Sequence, residues 1–194
     1  LRQLLKRAKD TEWGKKHDYK TLMDAGYPAF RESVPVQTYE DVKPYVERLL
    51  KGEKKLLWPT DVKWFAKSSG TTADKSKFIP VTQESLEECH FRGGKDTIAI
   101  MNENYPENKI LTGKGLIMGG SHQISNINQD AYFGDVSAIL LQNMPYWTQV
   151  IRTPELSIAL MDEWEEKIEL MARSTMVENV TSLSGVPSWT LVLI

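Results

Sequence analysis

Cysteine is almost missing from this chain: of its 194 residues only Cys89 carries a thiol. No disulfide can therefore form within it, which fits a reducing, cytoplasmic setting. A lone thiol in a helical stretch reads as a small packing residue rather than a nucleophile. Long hydrophobic runs are lacking too. None approaches the roughly 18 residues of a membrane span, and no signal-peptide pattern opens the chain, so no membrane role is expected. Nor does one sign of charge dominate: 24 Lys and Arg stand against 26 Asp and Glu, a net charge of −2. That leaves no global field for nucleic acid, and any anion site has to come from locally grouped cations. His17 and His90 lie far apart and show no metal-ligand spacing.

What is present is an ordinary globular composition, 41% hydrophobic and 26% charged. Helical and strand patterns alternate, which predicts an α/β fold of layered mixed sheets flanked by helices. In "TYEDVKPYVERLLKGE", Thr38 and Asp41 form a capping-box pair, and Val42, Tyr45, Val46, Leu49 and Leu50 make an apolar stripe. Gly52 is the expected stop. "DVKWFA" and "KFIPV" read as strands joined by a loop, and Thr82 caps a helix from about Gln83 to Asn102. Gly93 and Gly94 interrupt that helix at a cost of roughly 1 kcal/mol each relative to alanine, with close packing favoured over a ligand as the reason. "KGLIMGG" and "NVTSLSG" read as further strands. "TPELSIALMDEWEEKIELMARSTM" reads as one long helix capped by Thr153, with Trp164, Ile168 and Met171 on its apolar side. Pro187 opens a last helix. The chain starts at Leu1 inside a helical pattern and ends at Ile194 inside the apolar run "WTLVLI". Compact domains seldom end so, and the expectation is a piece of a longer protein.

The stretch "WFAKSSGTTADKSKFIPVT", Trp64 to Thr82, concentrates hydroxyls, a glycine and lysines in the loop between the first two strands. Phosphates are held by converging backbone N–H groups, by Ser and Thr hydroxyls, and by lysine charge, and this loop offers all three. It is not a P-loop of the G-x-x-x-x-G-K-[ST] type. The second glycine is absent, and "KFIP" is strand-like where a long helix would have to begin. The bland alternative is a polar surface loop, since these residue types are common in turns.

The order "SSGTTADKSKFIPVT" resembles the phosphate-binding motif of acyl-adenylate-forming enzymes. With "SKFIP" included, it is similar to the plant auxin-responsive acyl acid amido synthetases and their bacterial relatives. "YEDVKPYVERLLKGE", "LIMGGSHQI", "GDVSAILLQNMP" and "ENVTSLSGVPSWTLVLI" extend the resemblance over the chain from about Thr38 onward. It implies that residues 1–194 are the incomplete N-terminal part of the large adenylate-forming domain. It also implies a parent enzyme that uses ATP and Mg2+ to activate a carboxylic acid as an acyl-adenylate and transfers it to an amine, in the plant enzymes an amino acid. Carried over, Ser68, Ser69, Thr71 and Thr72 hold phosphate by hydroxyl or backbone. Gly70 permits close approach, and Lys75 or Lys77 neutralises charge on the pyrophosphate side. Ala73 stands where related enzymes usually carry glycine, and Lys75-Ser76-Lys77 replaces a single lysine after proline; Lys77 is the favoured equivalent. No catalytic residue or metal ligand is assigned within the chain, and the piece alone is expected to be inactive. A coenzyme A ligase of the same superfamily and a non-catalytic nucleotide-binding relative are the alternatives.

Other candidates carry less. His122, after "MGGS", reads either as a substrate contact or base or as a satisfied turn residue, the second favoured. Asp135 and Ser137 read as a helix cap in preference to ligand groups. Trp189 reads as core rather than substrate wall, and Trp64, Trp147 and Trp164 as packing residues. Lys51 to Lys55 form a solvated helix end.

Overall fold

The computed structural model describes residues 1–68, 77–120, 125–128 and 131–193. Two compact units emerge: Leu1–Phe65 with Phe78–Thr82 and Asn126–Tyr132, and Ala66–Lys77 with Gln83–Ser125 and Phe133–Ile194. The strands are β1 (Trp64–Lys67), β2 (Phe78–Val81), β3 (Lys114–Met118), β4 (Ser125–Asn128), β5 (Ala131–Gly134), β6 (Arg152–Thr153) and β7 (Val180–Gly185). They form one small sheet in the order β2-β1-β5-β4 and another in the order β6-β3-β7, with helices between and around them. The layered α/β expectation is met. No described helix is long and apolar enough to cross a membrane.

The first unit opens with α1 (Arg2–Ala8), α2 (Glu12–Lys16), α3 (Tyr19–Ser33) and α4 (Tyr39–Leu50). Leu5, Ala8, Trp13, Leu22, Val46, Leu49 and Leu56 are buried. Each large apolar side chain so placed is worth about 1.5–3 kcal/mol. The capping box forms as the sequence indicates: the Asp41 carboxylate accepts from the Thr38 N–H and hydroxyl, both at 2.7 Å. Those two bonds hold the Asp41 carboxyl below the usual range. The helix stops where Gly52 takes φ +89°, a left-handed conformation that suits glycine. At its start, the Tyr39 hydroxyl accepts from the Phe78 N–H at 3.1 Å and donates to the Phe78 carbonyl at 3.2 Å. This bond pair fixes the first residue of β2, just past the hydroxyl-rich loop.

In the second unit all three strands of the β6-β3-β7 sheet are parallel. Parallel strands need crossovers, which α6 (Val136–Asn143), α7 (Leu156–Ala159) and α8 (Trp164–Thr175) supply. Gly115 pairs with Arg152 and Ser182, and Met118 pairs with Gly185. Leu116 and Met118 pack with Met171, Ile168, Val180 and Trp189 in one cluster. A second cluster joins Ala138, Leu141, Ala159 and Leu160 to Ile117. Trp189 and Trp164 meet edge to face at 5.7 Å, in keeping with their reading as packing residues, and Pro187 begins α9 (Pro187–Leu193).

Three expectations fail. The stretch from Thr153 is not one helix: Thr153 belongs to β6, and α7 and α8 are separate. A two-residue strand is too short to show a period, and Asp162 with Glu163 breaks the stripe between the helices. Close packing does not explain Gly93 and Gly94, because a Cβ on either would meet nothing within 4 Å. They lie in α5 (Arg92–Asn104), which a π-helical stretch, Ser85–Phe91, enters directly. Cys89, in that stretch, is exposed rather than packed.

His17 yields a test of the first unit. Its ring lies 4.6 Å from Trp13, its Nε2 is buried without a partner among the described residues, and burial, aided by the Lys16 ammonium, lowers its pKa from 6.5. The unfolded chain therefore takes up this proton first. Stability is full above about pH 6.5 and is lost as pH falls below it. Thermal unfolding from about pH 7 to about pH 5 is expected to show a falling midpoint that flattens in His17→Gln; equal slopes in both proteins would refute the assignment.

Candidate functional site

Ser68 and Lys77 stand at the two ends of the hydroxyl-rich loop. The Ser68 N–H donates to the Lys77 carbonyl at 2.9 Å, and the Lys77 N–H donates to Ser68 Oγ at 3.2 Å. The loop therefore leaves its strands from a closed neck. Ser68 has its N–H committed there, while its hydroxyl hydrogen remains able to donate. Ser69, Gly70, Thr71, Thr72 and Lys75, the other candidate phosphate ligands, lie outside the described residues, as does His122.

The carboxyl end of β3 is built more elaborately. Gly119 and Gly120 follow the strand, and both of their carbonyls face the Lys167 ammonium of α8, at 2.8 and 3.4 Å. Lys167 is 1% exposed. Burial lowers its pKa, and the carboxylates of Asp162 and Asp135 oppose that shift. On the other side of the turn the Gly120 N–H donates to Ser137 Oγ at 2.8 Å. Ser137 in turn donates through its hydroxyl and its N–H to Asp135 Oδ1, at 2.7 and 2.8 Å. Asp135 thus caps α6, the expected role. A Cβ at Gly119 would come within 2.6 Å of Leu141 Cδ1, and one at Gly120 within 2.9 Å of Asp135 Cγ. Only glycine fits this turn without displacing its neighbours.

Beside this strand a cavity of about 390 Å³ opens, a size common for small-molecule sites. Gly115, Ile117, Ser182 and Ser184 line it from β3 and β7. Phe91 lines it from the end of the π-helical stretch and Ile98 from α5, and Leu140, Met144 and Trp147 close another side. Gly94 also borders it, so that glycine opens space instead of closing it. Trp147, expected as packing, is 54% exposed and forms cavity wall. Arg152 reaches the cavity from β6.

Sequence reasoning passed over Lys167 and Arg152. One signal was available: Lys167 falls three residues after Trp164 and four before Met171, on the apolar stripe of α8. The charges were legible; their burial was not.

The chain has relatives among known proteins. The family described as "GH3 family N-terminal domain" matches residues 1–192. The indole-3-acetic acid-amido synthetase GH3.2 of Arabidopsis thaliana is 35% identical over 88 residues, 45% of this chain and 16% of that protein. The probable indole-3-acetic acid-amido synthetase GH3.13 of Oryza sativa subsp. japonica is 42% identical over 64 residues, 32% of this chain and 14% of that protein. Among solved structures, a GH3.15 acyl acid amido synthetase superposes on 100% of this chain and 34% of its own, with a TM-score of 0.77 and 22% identity. The chain thus covers between 14% and 34% of these relatives' own lengths.

The turn gives a stability test. Gly120→Ala is expected to cost about 1–3 kcal/mol and Ser137→Ala about 1 kcal/mol. Because both act on one contact, chemical denaturation of the double variant should show a coupling of at least about 0.5 kcal/mol. Strict additivity would mean that the turn and the α6 cap are independent.

Proposed function

The chain belongs to the GH3 family, and from that membership we propose that it is the N-terminal part of an ATP-dependent acyl acid amido synthetase. The reaction runs in two steps. A carboxylate oxygen of the acid attacks the α-phosphorus of ATP; the bond to the β-phosphate breaks and pyrophosphate leaves, giving an acyl-adenylate. An amine, from an amino acid in this reading, then attacks the acyl carbon, loses a proton, and displaces AMP to form the amide.

The closed neck at Ser68 and Lys77 is the observation that carries this reading. It supports a loop whose ends are held together while its middle, Ser69 to Lys75, offers amide, hydroxyl and ammonium donors to one anion. Charge grows on the phosphoryl oxygens as the acid arrives, and donors already in position lower that barrier. Thr71 and Thr72 donate to phosphate, Gly70 lets the backbone come close, and Lys75 or Lys77 meets the departing pyrophosphate. Mg2+ would offset phosphate charge there, alongside Lys75 or Lys77 of this chain. The acid lies in the apolar cavity along β3 and β7, with its reacting carboxylate toward the carboxyl end of β3. Parallel α/β sheets bind ligands at that carboxyl end of the strands. The lone, exposed Cys89 suits a reducing cytoplasmic location.

ATP–pyrophosphate exchange on the full-length protein tests the first step. Exchange that depends on a carboxylic acid is expected, and Thr71→Ala should lower it about 100-fold or more. The 194-residue piece alone should show none. Amide formation with amino acids, and no thioester with coenzyme A, is the expected second step. Thioester formation without amide would replace the amido synthetase with a coenzyme A ligase.

A further inference from the structure

Arg152 carries a buried charge that the proposed reaction leaves unused. The residue is 5% exposed, and among the described residues its Nε and Nη1 find no hydrogen-bond acceptor. Burial pushes its pKa down, and a guanidinium so placed is costly until an anion meets it. Arg152 borders the cavity beside β3, and none of the described residues lining that cavity is acidic. Lys95 and His90 also border it, but both are exposed, and an exposed cation keeps its hydration. The unmet demand for an anion lies at Arg152.

Strand register places that charge. Arg152 and Ser182 flank Gly115 from the two neighbouring strands, and all three border the cavity. Gly115 keeps the gap between them open, since a Cβ there would come within 3.0 Å of Ser182 Oγ. Ile117, the next residue of β3 on the same face, lies roughly 7 Å nearer the carboxyl end of the strand. With Ile98, Leu140 and Met144 it gives the cavity an apolar wall. A cation at one end and an apolar wall beyond it suit an amphiphile, not a small hydrated anion. We propose that the cavity binds an apolar monocarboxylic acid with its carboxylate on Arg152 and its body along Ile117. The planar fork of guanidinium donors matches the two carboxylate oxygens, and Ser182 offers a hydroxyl beside that end. An acid held this way points its carboxylate toward the amino end of β3, away from the end at which the proposed reaction places activation. The pose is therefore unreactive, and an acid in it keeps out one bound for activation. Binding depends on the cavity alone; only this inhibition rests on the synthetase reading.

Calorimetry on the full-length protein without ATP tests the binding, using octanoic and phenylacetic acids, their primary amides, and acetate. The amide keeps the shape and removes the charge. Wild type is expected to bind at least one of the two acids about tenfold tighter than its amide, and acetate more weakly than either acid. Arg152→Gln should bring the acid to the level of its amide and leave the amide unchanged, while Arg152→Lys keeps part of the preference. Equal binding of acid and amide by wild type, no acid binding at all, acetate bound as tightly as the larger acids, or a preference that survives in Arg152→Gln would overturn the proposal. The wild-type comparison stands even if the glutamine variant fails to fold. Exchange assays separate the two readings. An acid that shows the preference should slow exchange at excess, whichever acid drives it, and an unslowed rate would overturn the unreactive pose. A preference for acid over amide without any acid-dependent exchange sinks the synthetase and leaves this site, whereas exchange without that preference does the reverse.

Discussion

One buried ammonium organises the second unit. Lys167 reaches from α8 to the carbonyls of Gly119 and Gly120, and taking that charge out of water is costly unless its donors are satisfied. The two carbonyls accept from it, so separating α8 from the end of β3 would strand a buried charge. Ser137 and Asp135 hold the opposite side of the same turn. Strand end, helix start and helix interior are thereby tied at one point.

From that point β3 divides its side chains between two tasks. Alternate residues of a strand face opposite ways. Leu116 and Met118 go to the core shared with Met171 and Trp189, while Gly115 and Ile117 border the cavity. The small residues Gly115, Ser182 and Ser184 leave room where larger ones would fill it. The helix across the cavity behaves alike, since Gly94 presents no side chain to the space. The cavity follows from the placement of small residues on an otherwise well-packed sheet.

Much of the fold could be read from the sequence because its signals are local. Thr38 with Asp41, Gly52 and the Asp135 cap act through atoms two or three residues away, and all three form as expected. The strands around the hydroxyl-rich loop were equally plain, and the order of that loop pointed to the family. What escaped was long-range. Arg152 and Lys167 are charged residues whose burial depends on strands and helices far away in sequence. The break between α7 and α8 was hidden by continuous helical propensity, and β6, two residues long, has no period to detect. The cavity is a vacancy among five segments, and no single stretch of sequence encodes it.

The place of the acyl group decides what the cavity beside β3 is for. A crystal structure of the full-length protein with a non-hydrolysable acyl-adenylate mimic would test this most directly. The acyl chain should run along Gly115, Ile117, Ser182 and Ser184, with the adenylate phosphate bound by the loop between Ser68 and Lys77. An acyl chain found elsewhere, with this cavity filled by other parts of the protein, would contradict it.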